Sequence, residues 1–94
     1  MTNEDFAKVF MLIGDLMELK GENVFKISAY RKAADTMLNS SEDVATLWKE
    51  NRVMDLPNVG DAIAGKIDEL MQTGHLKFLE RLEEEVPPDL VTLL

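Results

Sequence analysis

The sequence predicts an all-α fold, a compact bundle of about five short helices that forms a single helical domain over residues 1–94. Apolar residues recur every three or four positions along most of the chain, which is the spacing of one helix face. No segment alternates apolar and polar residues as a half-buried strand does. With 46% hydrophobic residues, the 94-residue chain can bury one modest core and does not have the composition of a disordered protein.

The first two helices are predicted in the amino-terminal part of the chain. We expect Asn3 to cap the first helix and Gly21 to end it. The inward face of this helix is predicted to hold Phe6, Val9, Phe10, Ile13, Leu16 and Met17. The second helix is predicted over residues 24–38, with an inward face of Ile27, Tyr30, Ala33, Ala34 and Met37.

A third and a fourth helix follow, separated by a turn over residues 54–60. Ser41 is expected to begin the third helix, because serine caps helices well and two acidic residues follow it. Asp61 is expected to cap the fourth helix, which ends before Gly74. The predicted inward residues of these two helices are Val44, Leu47 and Trp48, then Ile63, Ile67, Leu70 and Met71.

The fifth helix is predicted over residues 76–85, with Phe78, Leu79 and Leu82 turned inward. Pro87 and Pro88 cannot continue a helix and are expected to stop it. Residues 89–94 are expected to form one further turn.

Composition narrows the classes of function. The chain has no cysteine, which excludes disulfides and thiolate metal sites, and its single histidine argues against a histidine-based metal site. No apolar run is long enough to cross a bilayer, so we expect a cytoplasmic protein that does not bind membranes. The net charge of −8 opposes strong DNA binding, which depends on lysine and arginine, and favours the alternative of a protein-interaction module.

The stretch LPNVGDAIAGKIDE, residues 56–69, is nevertheless typical of the turn and second helix of a helix-hairpin-helix motif, here predicted over about residues 42–74. Such a motif grips a nucleic-acid backbone, because the helix start presents unpaired N–H groups to a phosphate. The residues predicted to contact phosphate at this turn are Asn58, Gly60, Asp61 and Ala62. His75, at the next helix boundary, is a further candidate. The alternative is an ordinary corner between two helices.

Two sets of side chains add cations to this prediction. Lys26, Tyr30 and Arg31 share a face near Lys66 if the second helix packs on the fourth, and such a set of donors would bind a terminal phosphate. The alternative is a solvated helix face with a half-buried tyrosine. Lys66 itself could attack an aldehyde as a Schiff-base nucleophile, or could be a lysine whose stem simply covers the core.

The segments NVFKISAYRKAAD, residues 23–35, and LPNVGDAIAGKIDELMQTGHLKFLERL, residues 56–82, resemble the amino-terminal domain of family X DNA polymerases. The opening NEDFAKVFMLIGDLMELKGEN, residues 3–23, is similar to the bacterial and archaeal members, whose chains carry a further phosphoesterase domain. The resemblance implies a helical domain that contacts the DNA backbone or 5′-phosphate at repair gaps and nicks. It also implies that further polymerase domains are partners if the chain is an excised domain, and that these residues alone have no polymerase activity.

The resemblance also implies roles for individual residues. In family members with lyase activity, the lysine matching Lys66 attacks the sugar aldehyde of an abasic site, and β-elimination then releases the deoxyribose phosphate. Lys26 matches a lysine of the 5′-phosphate pocket, and Tyr30 matches a tyrosine beside the nucleophile. The backbone carbonyls that match those holding a monovalent cation, Na⁺ or K⁺, belong to Met54, Leu56 and Val59. No cofactor is expected to be required.

The chain departs from the eukaryotic lyase pattern around this site. Ala62 stands where the family has a second pocket lysine, Gly65 replaces a glutamate, and Phe25 replaces a stacking histidine. Met54 and Asp55 replace lysines before the turn. These losses predict a pocket with few cations, so that backbone binding by the hairpin is the firmer expectation and lyase activity stays open.

Overall fold

The computed structural model describes residues 1–86, which form five α-helices and one short 3-10 helix. The helices are α1 (Asn3–Leu19), α2 (Val24–Asn39), α3 (Val44–Lys49), α4 (Asp61–Thr73) and α5 (Lys77–Glu85), and the 3-10 helix is Val53–Asp55. Residues 1–86 contain no strand, so the predicted all-α class is confirmed. The expected stop at Pro87 and Pro88 and the turn over residues 89–94 lie outside the described residues, and the single-domain assignment stays a prediction.

The start of α1 differs from the prediction that Asn3 caps it. Thr2 is the cap: its hydroxyl accepts a hydrogen bond from the Asp5 N–H at 3.1 Å, and the Asp5 carboxylate accepts one from the Thr2 N–H at 2.8 Å. Hydrogen bonding of the Asp5 carboxylate to the Thr2 backbone N–H, and secondly to the Thr2 side chain, lowers the pKa of Asp5. Asn3 instead bonds the start of α3, because its side chain accepts from the Val44 N–H at 2.8 Å and donates to the Glu42 carbonyl at 2.9 Å.

The starts of α3 and α4 also differ from the prediction. Asp43, not Ser41, caps α3 by accepting a hydrogen bond from the Thr46 N–H at 3.2 Å. Asp61 does not cap α4, because it is the first residue of the helix and Gly60 is the cap. The carboxylate of Asp61 still lies in the first turn, where the helix dipole favours a negative charge.

The core contains most of the predicted inward residues. The fully buried ones are Phe6, Phe10, Ile13, Leu16 and Met17 of α1, Ile27, Ala33, Ala34 and Met37 of α2, Val44 and Leu47 of α3, Ile63, Ile67 and Leu70 of α4, and Leu82 of α5. Others are half-buried against this core, namely Val9, Tyr30, Trp48, Met71, Phe78 and Leu79. The apolar periodicity therefore located the helix faces correctly.

Two contacts join neighbouring helices, one between α1 and α2 and one between α3 and α4. Gly14 lets α1 and α2 approach closely, because a Cβ atom there would lie 3.0 Å from the Arg31 Cγ. Trp48 joins α3 to α4: it packs against the core and donates a hydrogen bond from its Nε1 to the Asp68 carboxylate at 2.8 Å. Within residues 1–86 there is no helix with the length and apolar character to cross a membrane.

Candidate nucleic-acid interface

The turn before α4 is built on two buried side chains, as expected. Leu56 and Val59 are buried, with only 8% and 6% of their surface exposed. Asn58, which lies between them, and Gly60, which follows Val59, are exposed. Asn58 has a φ of +66°, a left-handed conformation that asparagine tolerates better than most residues. Its side-chain nitrogen donates to the Thr36 hydroxyl at 3.1 Å, so the turn is attached directly to α2.

The start of α4 presents backbone rather than side chains. No side chain caps this helix, and Asp61 and Ala62 are exposed. A Cβ atom on Gly60 would meet nothing within 4 Å, so the backbone faces open space at this point. The first N–H groups of α4 therefore have no side-chain acceptor among the described residues and are accessible to an anion.

A cleft of about 750 Å³ lies between α2, the turn and α5. It brings together most of the residues predicted to contact phosphate, namely Lys26, Tyr30, Asn58, Gly60, Asp61 and Ala62. Residues that the sequence interpretation did not assign to the site also line it, among them Lys20, Glu22, Phe78, Arg81 and Glu85. The predicted packing of the second helix near the hairpin thus produces a real concave surface.

Lys66 lies beside Tyr30, as predicted, and over a second aromatic ring. Its half-buried amine is 5.6 Å from the Tyr30 ring centroid and 4.6 Å from that of Phe78. These two rings stack at 5.9 Å, and Phe10 extends the stack behind Tyr30 at 6.2 Å. Aromatic faces attract a charged ammonium group, so the Lys66 amine makes a cation–π contact with each of these rings.

A model of the helix-hairpin-helix domain family matches residues 1–76 of this chain. The chain belongs to this family. It is also 37% identical, over all 94 of its residues, to the DNA polymerase/3′-5′ exonuclease PolX of Bacillus subtilis strain 168. It spans only 16% of that protein. This similarity confirms the resemblance to family X polymerases.

In this helix-hairpin-helix domain Arg31 does not join the cleft, contrary to the prediction. Arg31 follows Tyr30 by one residue, a rotation of about 100° around the helix, and it therefore faces α1 rather than the cleft. Its guanidinium bonds Glu18 at 2.6 Å and Asp15 at 2.9 Å, and these carboxylates raise its pKa. The prediction that Lys26, Tyr30 and Arg31 form one cluster is therefore wrong for Arg31.

His75 is not brought into the cleft with the other candidates. Its side chain is 77% exposed, and its Nδ1 lies 3.8 Å from a Glu80 carboxylate oxygen. Its backbone N–H donates to the Thr73 hydroxyl at 3.1 Å. A contact between His75 and a DNA phosphate remains a prediction, at a place separate from the cleft lining.

Charges in the cleft lining of the helix-hairpin-helix domain are balanced. Lys20, Lys26 and Arg81 contribute positive charge, and Glu22, Asp61 and Glu85 contribute negative charge. The net charge of −8 is therefore not concentrated here. A module that binds only proteins is expected to have an acidic surface around Gly60. The surface there is neither acidic nor strongly basic.

Backbone carbonyls are the available ligands for a cation at the turn. Residues 1–86 contain no group of three or more histidine or carboxylate side chains arranged to hold a metal ion. Carbonyl oxygens, in contrast, suit hard cations. Those of Met54, Leu56 and Val59 come from one short stretch, in which the Leu56 carbonyl accepts only a long hydrogen bond, 3.4 Å, from the Val59 N–H. The donor set therefore fits Na⁺ or K⁺.

Proposed function

We propose that this helix-hairpin-helix domain binds DNA at gaps or nicks and holds the 5′-phosphate in the cleft between α2, the turn and α5. The observation that carries the proposal is that the cleft joins Lys26 to the uncapped start of α4. A lysine and a row of outward N–H groups are complementary to a phosphate, and neither requires a particular base. The proposed binding is therefore to the DNA backbone, in repair of interrupted strands.

We propose that the domain acts either as part of a longer protein of the polymerase type or as a free-standing relative of such a domain. The support is the 37% identity to a protein named as a DNA polymerase and 3′-5′ exonuclease. The matched part is 16% of that protein, so nucleotide addition and exonuclease activity are not proposed for these residues. We also propose that a Na⁺ or K⁺ ion bound by the carbonyls of Met54, Leu56 and Val59 bridges the turn to a DNA phosphate.

A second candidate function is a 5′-deoxyribose-phosphate lyase. The Lys66 amine would attack the C1′ aldehyde of an abasic sugar and lose water to form an imine. Loss of a C2′ proton would then break the C3′–O bond, and the adjoining strand would leave with its 5′-phosphate. Water would finally hydrolyse the imine, which releases the unsaturated sugar phosphate and regenerates the Lys66 amine. The half-buried position of Lys66 beside Tyr30 supports this candidate. The departures from the family pattern oppose it, because Ala62 and Gly65 stand where the eukaryotic lyase has a pocket lysine and a glutamate.

Equilibrium binding to a gapped duplex tests the proposed function. We expect salt-dependent binding that is stronger when the gap carries a 5′-phosphate, measured by fluorescence anisotropy. Lys26→Gln should weaken binding, because it removes a cation from the cleft. Lys32→Gln is the matched control: Lys32 lies on the same helix, is exposed, and lines a different groove with Arg31.

Two results would contradict the proposal. If the wild-type domain does not bind gapped DNA even at low salt, the alternative of a protein-interaction module that kept the fold is favoured. If Lys26→Gln and Lys32→Gln weaken binding equally, DNA does not enter the cleft.

A further inference from the structure

The cleft contains three cationic side chains, and one of them is already neutralised. Lys20, at the end of α1, forms ion pairs with Glu85 of α5 and with Glu22, the latter at 3.3 Å. The Glu85 contact is the main reason that the pKa of Lys20 is raised. These pairs account for two of the three carboxylates that line the cleft.

Arg81 and Lys26 are therefore the cations of the cleft that remain available. Neither forms an ion pair with any of residues 1–86. Arg81 is exposed and lies on α5 one turn after Phe78, which packs against Tyr30 and Lys66 on the inner side of the cleft. Asp61 is the one carboxylate of the lining without an ion-pair partner in the described part of the chain.

The Lys20–Glu85 pair occupies a carboxylate of α5 that lies close to Arg81 in the sequence, and Arg81 has no ion-pair partner among residues 1–86. Glu85 follows Arg81 by four residues, and side chains at this spacing on a helix normally come within reach of each other. In this structure Glu85 is bound to Lys20 of α1 instead, across 65 residues of sequence. The ion pair between two helices thus engages one carboxylate, that of Glu85, that would otherwise compete for the guanidinium.

We infer that Arg81 is the second phosphate-binding cation of the cleft and that the Lys20–Glu85 pair keeps it available for the 5′-phosphate of a DNA strand. The inference rests on the proposed function and adds a residue to it. A guanidinium presents two parallel N–H donors to phosphate oxygens, and together with Lys26 it would hold a dianionic terminal phosphate from two sides. This second cation comes from α5, whereas the family's second pocket lysine, replaced here by Ala62, lies on α4.

The test compares two gapped duplexes that differ only in having a 5′-phosphate or a 5′-hydroxyl at the gap. Arg81→Gln should weaken binding of the phosphorylated duplex about tenfold, because charge-assisted hydrogen bonds are lost, and should leave binding of the hydroxyl duplex nearly unchanged. The affinity of Arg81→Lys for the phosphorylated duplex should lie between that of the wild type and that of Arg81→Gln. The control is Lys77→Gln, which removes one charge from an exposed position on α5 outside the cleft lining.

The outcomes separate the inference from the proposed function. If the wild-type domain prefers the 5′-phosphate and Arg81→Gln keeps that preference, the inference is overturned and the proposed function stands. If the wild-type domain binds neither duplex, the proposed function fails and the inference fails with it. Circular dichroism of each variant establishes that α5 is still folded.

A second experiment tests the part played by the ion pair. Lys20→Met should reduce the preference for the phosphorylated duplex, because Glu85 is released and can pair with Arg81 one helical turn away. Adding Glu85→Gln to Lys20→Met should restore the preference, since the competing carboxylate is then gone. If the double variant is as weak as Lys20→Met alone, Lys20 does not act through Glu85.

Discussion

At the scale of single residues, Lys66 shows how one position can be suited to holding a strand and poorly suited to cutting it. Its amine lies over the rings of Phe78 and Tyr30, and it forms no ion pair with residues 1–86. The aromatic faces stabilise its positive charge. The residues around it also differ from the eukaryotic lyase pattern, because Ala62 and Gly65 replace a pocket lysine and a glutamate.

We therefore expect only weak lyase activity through Lys66. Borohydride trapping on an abasic-site oligonucleotide should give at most a weak covalent adduct with the wild-type domain, and Lys66→Ala should abolish it. Trapping that persists in Lys66→Ala would assign the nucleophile to a different amine.

At the scale of helices, the sequence predicted the elements and most of their carboxy-terminal ends well, but it predicted the amino-terminal caps poorly. The inward faces depend only on apolar spacing along one helix, and these were confirmed. Caps depend on neighbours: Asn3 was a reasonable cap by residue type, but α3 packs close enough to use its side chain. Arg81 was missed for the same reason, because only the packing of α5 against α2 places it in the cleft.

The hydrogen bond between Trp48 of α3 and Asp68 of α4 leads us to predict how the stability of the domain depends on pH. Hydrogen bonds from Trp48 and Gln72 lower the pKa of Asp68 below its usual 3.8. A lowered pKa means that this stabilisation is complete above pH 3.8 and is lost as pH falls through the folded-state value. Asp68→Asn should thus be less stable than wild type at neutral pH, and the difference should shrink in acid. Urea unfolding at several pH values measures it, and a pH-independent difference would contradict this assignment.

At the scale of the whole molecule, the acidic charge and the proposed DNA site are compatible because they occupy different surfaces. Among the acidic residues of the described part of the chain, residues 1–86, only Glu22, Asp61 and Glu85 line the cleft. Others are engaged elsewhere, as in the pairs of Arg31 with Asp15 and Glu18 and of Arg52 with Asp55. A charge total could not predict this, since it contains no information on which helices meet.

The distribution of charge predicts a shallow salt dependence. If Lys26 and Arg81 are the two cations that meet phosphate, the logarithm of the binding constant should fall against the logarithm of salt concentration with a slope of about −2. Titrations between low and physiological salt measure this slope. Arg81→Gln should make it shallower by about one unit, whereas Lys77→Gln should not change it. A slope of about −5 or steeper would place further basic residues at the interface.

The hydrogen bond between Asn58 and Thr36 has a consequence for the energetics of recognition. It attaches the hairpin turn to the last turn of α2, the helix that also carries Lys26 near its start. Both walls of the cleft are therefore joined before any ligand arrives, and a strand that enters meets a surface that is already assembled. Less conformational freedom is then lost on association, so two cations and a helix start can be sufficient where a looser site would require more.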